Sequence, residues 1–142
     1  MSSNDTREPE RTEDVAKVAV HVMGDDVDPK LVQQATGVVP TECWRKGDVI
    51  PPRRPRAEIR RHTGMYTIEC RATSVEEAMR EVLRVVEPIA ATLRSEAESA
   101  GGTVFVTIWW DPAARQGGFL LPTDLLIRFA SMGPKLRVYF PG

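Results

Sequence analysis

The chain has 142 residues, 42% hydrophobic and 27% charged, with a formal net charge of −1. That is enough for one domain whose core needs neither disulfides nor a structural metal. The near-neutral balance excludes a globally basic nucleic-acid binder, so any phosphate-binding footprint has to be a local patch. No run approaches the roughly 20 apolar residues of a membrane span. The N-terminal stretch MSSNDTREPERTED also lacks an apolar signal core. A cytoplasmic location without a membrane partner is therefore expected. In that compartment Cys43 and Cys70 are expected as free thiols and, on the usual behaviour of cysteine, as buried structural ones. They form no CxxC pattern, and only His21 and His62 could join them, so neither zinc nor another cofactor is implied.

In chain order, residues 1–13 are polar and read as a disordered tail, which places a single domain at 14–142. Val15–Met23 alternates, with Ala16, Val18, Val20 and Val22 on one face and Lys17, Ala19 and His21 on the other, the pattern of a strand packed on one side. A short helix follows over Pro29–Thr36, with Asp28 as N-cap, proline at the first helical position and Gly37 as its stop. Thr41–Lys46 reads as a short strand. Gly47–Thr63 reads as a loop, because Pro51, Pro52 and Pro55 interrupt any ladder. Met65–Cys70 is the next strand.

Ser74 and Glu77 form a capping-box pattern at the start of the main helix. Its apolar residues run from Val75 to Ala97 at helical spacing, and Pro88 predicts a kink near Glu87–Pro88. Gly101 and Gly102 end it, and Val104–Trp110 is a strand. Leu121-Pro122-Thr123-Asp124 opens a last helix that Gly133-Pro134 closes, and Lys135–Phe140 is the final strand. This order predicts an α+β fold: a ferredoxin-like βαββαβ core with a mostly antiparallel sheet, extended by a C-terminal helix and strand. The expected core comprises Val20, Val106 and Ile108, then Val82, Val86 and Ile89, then Leu126, Phe129 and Val138.

The run Val20-His21-Val22-Met23-Gly24, Asp28-Pro29, Gly37-Val38, Pro40-Thr41 and Arg45-Lys46-Gly47-Asp48 resembles a bacterial family known as domain of unknown function 4279. Leu121-Pro122, Leu125-Leu126, Phe129-Ala130, Met132-Gly133 and Tyr139 extend the resemblance, which covers about residues 15–140. The chain departs from the pattern at Met65-Tyr66 and in the insert Ile50–His62. The family brings no established activity. Some members look like companions of secreted bacterial toxins, so the resemblance implies an immunity protein.

Two surfaces are candidates for function. The first is the loop Trp44–His62, with seven basic residues against Asp48 and Glu58. Arg45, Lys46, Arg53, Arg54 and Arg56 suit a carboxylate or phosphate, and Trp44 suits stacking on a base. The competing reading is a solvated insert. The second is the sheet face opposite the helices, where parity places Lys17, His21, Phe105 and Thr107 together with Trp109, Arg137 and Tyr139. Aromatics mixed with cations can stack bases, bind a peptide or bind a small anion. Such a face is also commonly covered by a helix, a terminal segment or a second subunit, so a homo-oligomer stays open. Asp25, Asp26 and Asp28 lack the glutamate that ends a calcium loop. No nucleophile elbow or phosphate loop is present.

The function expected from this is a non-enzymatic protein-interaction module with an acidic protein partner. Nucleic-acid or small-anion binding through the same surfaces is the alternative. An enzyme would need a pocket joining Glu69, His21 or His62 to Lys17 or Arg137.

Overall fold

The computed structural model describes residues 13–51, 58–114, 117–132 and 135–139. All but Glu13 of the expected tail lies outside them, as do Arg53, Arg54 and Arg56, the closing Gly133-Pro134 and Phe140. The fold is mixed α+β, built on a mostly antiparallel five-stranded sheet. Strand β1 (Val15–Gly24) is its centre. It pairs antiparallel with β5 (Gly64–Ala72) on one side and β6 (Thr103–Asp111) on the other. Strand β2 (Glu42–Trp44) continues the sheet beyond β5, and β7 (Lys135–Tyr139) runs parallel to β6 at the opposite edge, giving the order β2-β5-β1-β6-β7.

Helices α1 (Pro29–Thr36), α2 (Val75–Val86), α3 (Ala90–Ser99) and α4 (Thr123–Ser131) share one apolar cluster with Val18, Val20, Val22, Val106 and Ile108. They therefore lie on one face of the sheet. Helix α1 is punctuated as its sequence demands. The Asp28 carboxylate accepts from the Lys30 amide at 3.0 Å, and Gly37 turns left-handed at φ 73°, where its amide donates to the Gln33 carbonyl. At α2, Ser74 Oγ accepts from the Glu77 amide at 3.1 Å. The other half of the box is replaced: the Glu77 carboxylate takes the Thr73 hydroxyl at 3.3 Å. Pro88 breaks the long helix, which passes through a 3₁₀ turn at Glu87–Ile89 before α3. Asp28 and Asp124 lie at equal distances from a following glycine, yet only Asp28 caps its helix. Asp124 instead accepts from Arg80 of α2 at 3.1 Å, and the Arg128 guanidinium reaches Glu87, so two surface ion pairs lie between α4 and the main helix.

The core departs from expectation at α4 and β7. Leu125, Phe129 and Met132 are the buried residues of α4 and its cap, at spacings of four and three. Leu126, one position on, is rotated about 100° away and is 45% exposed. Val138 faces the helices, opposite Ile108, but β7 is an edge strand that the helix layer leaves largely uncovered, and Val138 is 39% exposed. Ile89 is half-buried. The stretch read as a loop also carries structure. Val49–Ile50 (β3) pairs with Ile59–Arg60 (β4), closed by Arg61 N–H donating to Asp48 O at 2.8 Å and Gly47 N–H to Arg61 O at 2.9 Å. Cys43 is exposed rather than buried, because a three-residue edge strand gives it little cover. Cys70 is half-buried on the helix side, and burial, followed by Glu81, pushes its thiol pKa up, the opposite of an activated nucleophile. Among the described residues no helix is long and apolar enough to cross a membrane.

Candidate functional site

The side chains of the outer sheet face form a grid set by register. Across the strands β5, β1, β6 and β7, one row reads Arg71, Lys17, Trp109, Tyr139, and the next reads Glu69, Ala19, Thr107, Arg137. A third row reads Thr67, His21, Phe105, Lys135. All seven residues assigned to this face from strand parity are on it. That assignment did not place Thr67 or Glu69 on the face, although Tyr66, Ile68 and the half-buried Cys70 alternate with Met65, Thr67 and Glu69 and carry the phase of β5.

His21 is the anchor of the grid. Its Nδ1 lies 2.8 Å from Thr67 Oγ1 and its Nε2 lies 2.9 Å from Thr107 Oγ1, so both ring nitrogens are engaged by hydroxyls on the flanking strands. The ring also stacks on Phe105, with centroids 4.5 Å apart. Burial, and secondarily the Arg137 guanidinium, hold its pKa down at about 4. The unfolded chain therefore takes up this proton first. Stability linked to His21 is fully present above pH 6.5, drains away as pH falls towards 4, and changes no further below that.

The linked loss amounts to about 2 kcal/mol once the partial exposure of the ring is allowed for. Unfolding free energies at pH 7.5 and pH 4 are expected to differ less, by about that amount, in His21→Gln than in the parent. Asp28, Glu87 and Asp124, whose carboxyls are held down by Arg45, Arg128 and Arg80, also lose stabilisation in acid. They do so in both proteins, so the comparison isolates His21. An identical pH dependence in the two would show that the ring is solvated.

Two cations of the face rest on aromatic rings. Lys17 Nζ is 4.3 Å from the Trp109 ring centroid, and the Arg137 guanidinium lies 5.6 Å from that of Phe105 and 5.9 Å from that of Tyr139. Arg137 also donates to the Tyr139 hydroxyl at 2.9 Å. Among the described residues neither Lys17 nor Arg137 has a carboxylate within ion-pair distance. Charge is uneven across the sheet: Lys135 and Arg137 stand on the β7 side, whereas Glu42 and Glu69 stand on the β2 and β5 side with Arg71, whose Nε lies 3.5 Å from the Glu69 carboxylate. On this face lies a cleft of about 330 Å³ floored by Ala19 and Thr107 and bounded by Lys17, His21, Glu69, Trp109 and Tyr139, with Arg137 just outside its lining. The pocket that an enzymatic reading requires thus exists in outline, without His62. Its histidine, however, has both nitrogens occupied and is not free to take a substrate proton.

The basic loop is paired internally where it is described. The Arg45 guanidinium forks onto Asp28, which already caps α1, and Lys46 Nζ lies 3.1 Å from Asp25. Arg61 stacks on Trp44 at 3.6 Å, and Arg60 pairs with Glu58 at 2.8 Å. The cationic excess counted within the loop is offset by aspartates of the β1–α1 turn, and Trp44 is half-covered. Arg45 and Lys46 form a staple between two turns and stand apart from the outer-face grid, whereas Trp44, opposite Met65 in register, lies on the outer face at its β2 edge.

A second cleft, of about 340 Å³, opens on the helix side between α4 and β7 and is lined by apolar residues that include Met79, Leu121, Leu126 and Leu136. Among the described residues no group of three histidine, cysteine or acidic side chains converges as metal ligands would. No curated protein and no solved structure matches the chain. The model of one family, described as Domain of unknown function (DUF4279), matches residues 14–140, and the protein belongs to that family.

Proposed function

We propose that the protein is a binding module that works through its outer sheet face and makes and breaks no bonds, with an acidic protein surface as its partner. One observation carries this reading: Lys17 and Arg137 are held on aromatic rings on the sheet face away from the described helices, with no carboxylate of the described chain paired to them. Cations positioned in this way keep their charge available and lose little side-chain freedom when they meet a carboxylate. The uneven charge gives a direction, with the partner's acids facing the β7 half. In the form to which the family resemblance points, that partner is a bacterial toxin, and the protein neutralises it in the cytoplasm.

A second reading, single-stranded nucleic acid or a small anion on the same face, is favoured by the cross-strand neighbours Trp109 and Tyr139, which offer ring faces for stacking. A glutamate-rich peptide and a single-stranded RNA oligonucleotide, each titrated at low and high salt, separate the two. The peptide is expected to bind, with the double variant Lys17→Ser, Arg137→Ser at least tenfold weaker at low salt and the gap narrowing at high salt. RNA binding with a steep logarithmic salt slope and no peptide binding would replace the first reading by the second. A double variant that binds the peptide as tightly as the parent would remove the face from consideration.

A further inference from the structure

The geometry points to a binding site on the outer face for a zwitterion of dipeptide length that carries an aromatic group. This rests on the outer face being the working surface, but not on the acidic partner proposed above. The site is the trough formed by the middle row of the grid. Its floor is Ala19 and Thr107, and Ala19, at 5% exposure, is the small residue among larger neighbours on the central strand. Lys17 and Trp109 form one wall, His21 and Phe105 the other.

The two ends carry opposite charge. Glu69 stands on β5, next to Ala19 in register, with the exposed Arg71 Nε 3.5 Å from its carboxylate, and Arg137 stands on β7, next to Thr107, where it donates to the hydroxyl of the cleft-lining Tyr139. Three strand spacings separate these ends, about 14 Å between Cα atoms. Side chains reaching inward from both sides leave room for a molecule about 7 Å long, the extent of two extended residues. An ammonium group is matched by Glu69, in place of the exposed Arg71 guanidinium, and a carboxylate by Arg137. The walls supply the flat apolar contact: the Trp109 ring is already used in this way by Lys17, at 4.3 Å.

His21 has a structural part in this site. Its bonds to Thr67 and Thr107 hold one wall and orient the floor hydroxyl. A ligand with only one charge would leave either Glu69 or Arg137 facing an uncharged end, so discrimination comes from the two ends together. The cleft volume of about 330 Å³ falls at the small end of the range for ligand sites.

The test titrates the dipeptide Gly-Phe, its N-acetylated form and its C-terminal amide against the full chain, with amide and indole N–H signals followed by NMR. Gly-Phe is expected to shift the signals of Ala19, Thr107 and Trp109, with each singly charged form at least fivefold weaker. Ala19→Leu fills the floor from the side away from the core and is expected to abolish the response. Should that variant fold poorly, Glu69→Gln decides instead: Gly-Phe should lose its advantage over the acetylated form. Equal binding of all three molecules, or an advantage unchanged by Glu69→Gln, overturns the inference. If Gly-Phe at millimolar concentration leaves the face silent while the glutamate-rich peptide shifts it, the trough is wrong and the working face stands. If neither moves the face, both fall.

Discussion

Leu125→Ala is expected to lower the unfolding free energy by about 2–5 kcal/mol, whereas Leu126→Ala next to it should cost well under half as much. Leu125 is fully buried in the apolar cluster under α4, and its removal leaves a hole that neighbours on rigid elements cannot fill. Leu126 is 45% exposed on the rim of the apolar cleft, and truncation there gives up only part of its burial. Denaturant midpoints of the two variants check the rotation of α4. Equal losses, or a larger loss at Leu126, would mean that the helix is turned by one position.

The second large effect is expected at the end of the sheet where β1, β5 and β6 meet. Gly64 lies opposite Gly24 in register, and a Cβ added to Gly64 would run into the Val27 carbonyl oxygen. One added to Gly24 would come within 2.8 Å of the Gly102 Cα. These are backbone atoms, which cannot swing aside as the end of a side chain can. Gly64→Ala is therefore expected to cost on the order of 3 kcal/mol through overpacking and displacement of the turn. Gly118→Ala, where nothing lies within 4 Å, should be close to neutral. A Gly64→Ala protein as stable as the parent would show that the β1–α1 turn packs less closely.

Much of this fold was legible because its signals are local. Asp28, Pro29 and Gly37 bound α1 through contacts within a few residues, Ser74 starts α2 in the same way, and Pro88 breaks the long helix through its missing donor. Strand parity correctly placed Lys17, His21, Thr107 and Trp109 on one face, because alternation is a property of the strand itself. What escaped is set by distant partners. The choice of Leu125 over Leu126 depends on where α4 docks. The exposure of Val138 depends on how far the helix layer reaches over an edge strand. The pairing of Arg45 with Asp28 and of Lys46 with Asp25 spans 17 and 21 residues, so a charge count within the loop missed it. His21 looked like a solvent-facing cation or ligand until cross-strand register placed a threonine hydroxyl at each of its nitrogens.

The account turns on which surface does the binding, and a residue-resolved map tests that directly. ¹H–¹⁵N correlation spectra of the whole chain, recorded with and without the glutamate-rich peptide, are expected to show shifts concentrated on Lys17, Thr107, Trp109, Arg137 and Tyr139, with the helix face unchanged. Shifts centred instead on Arg45 and Lys46, or on the apolar cleft at Leu126 and Leu136, would contradict the assignment of function to the outer sheet face.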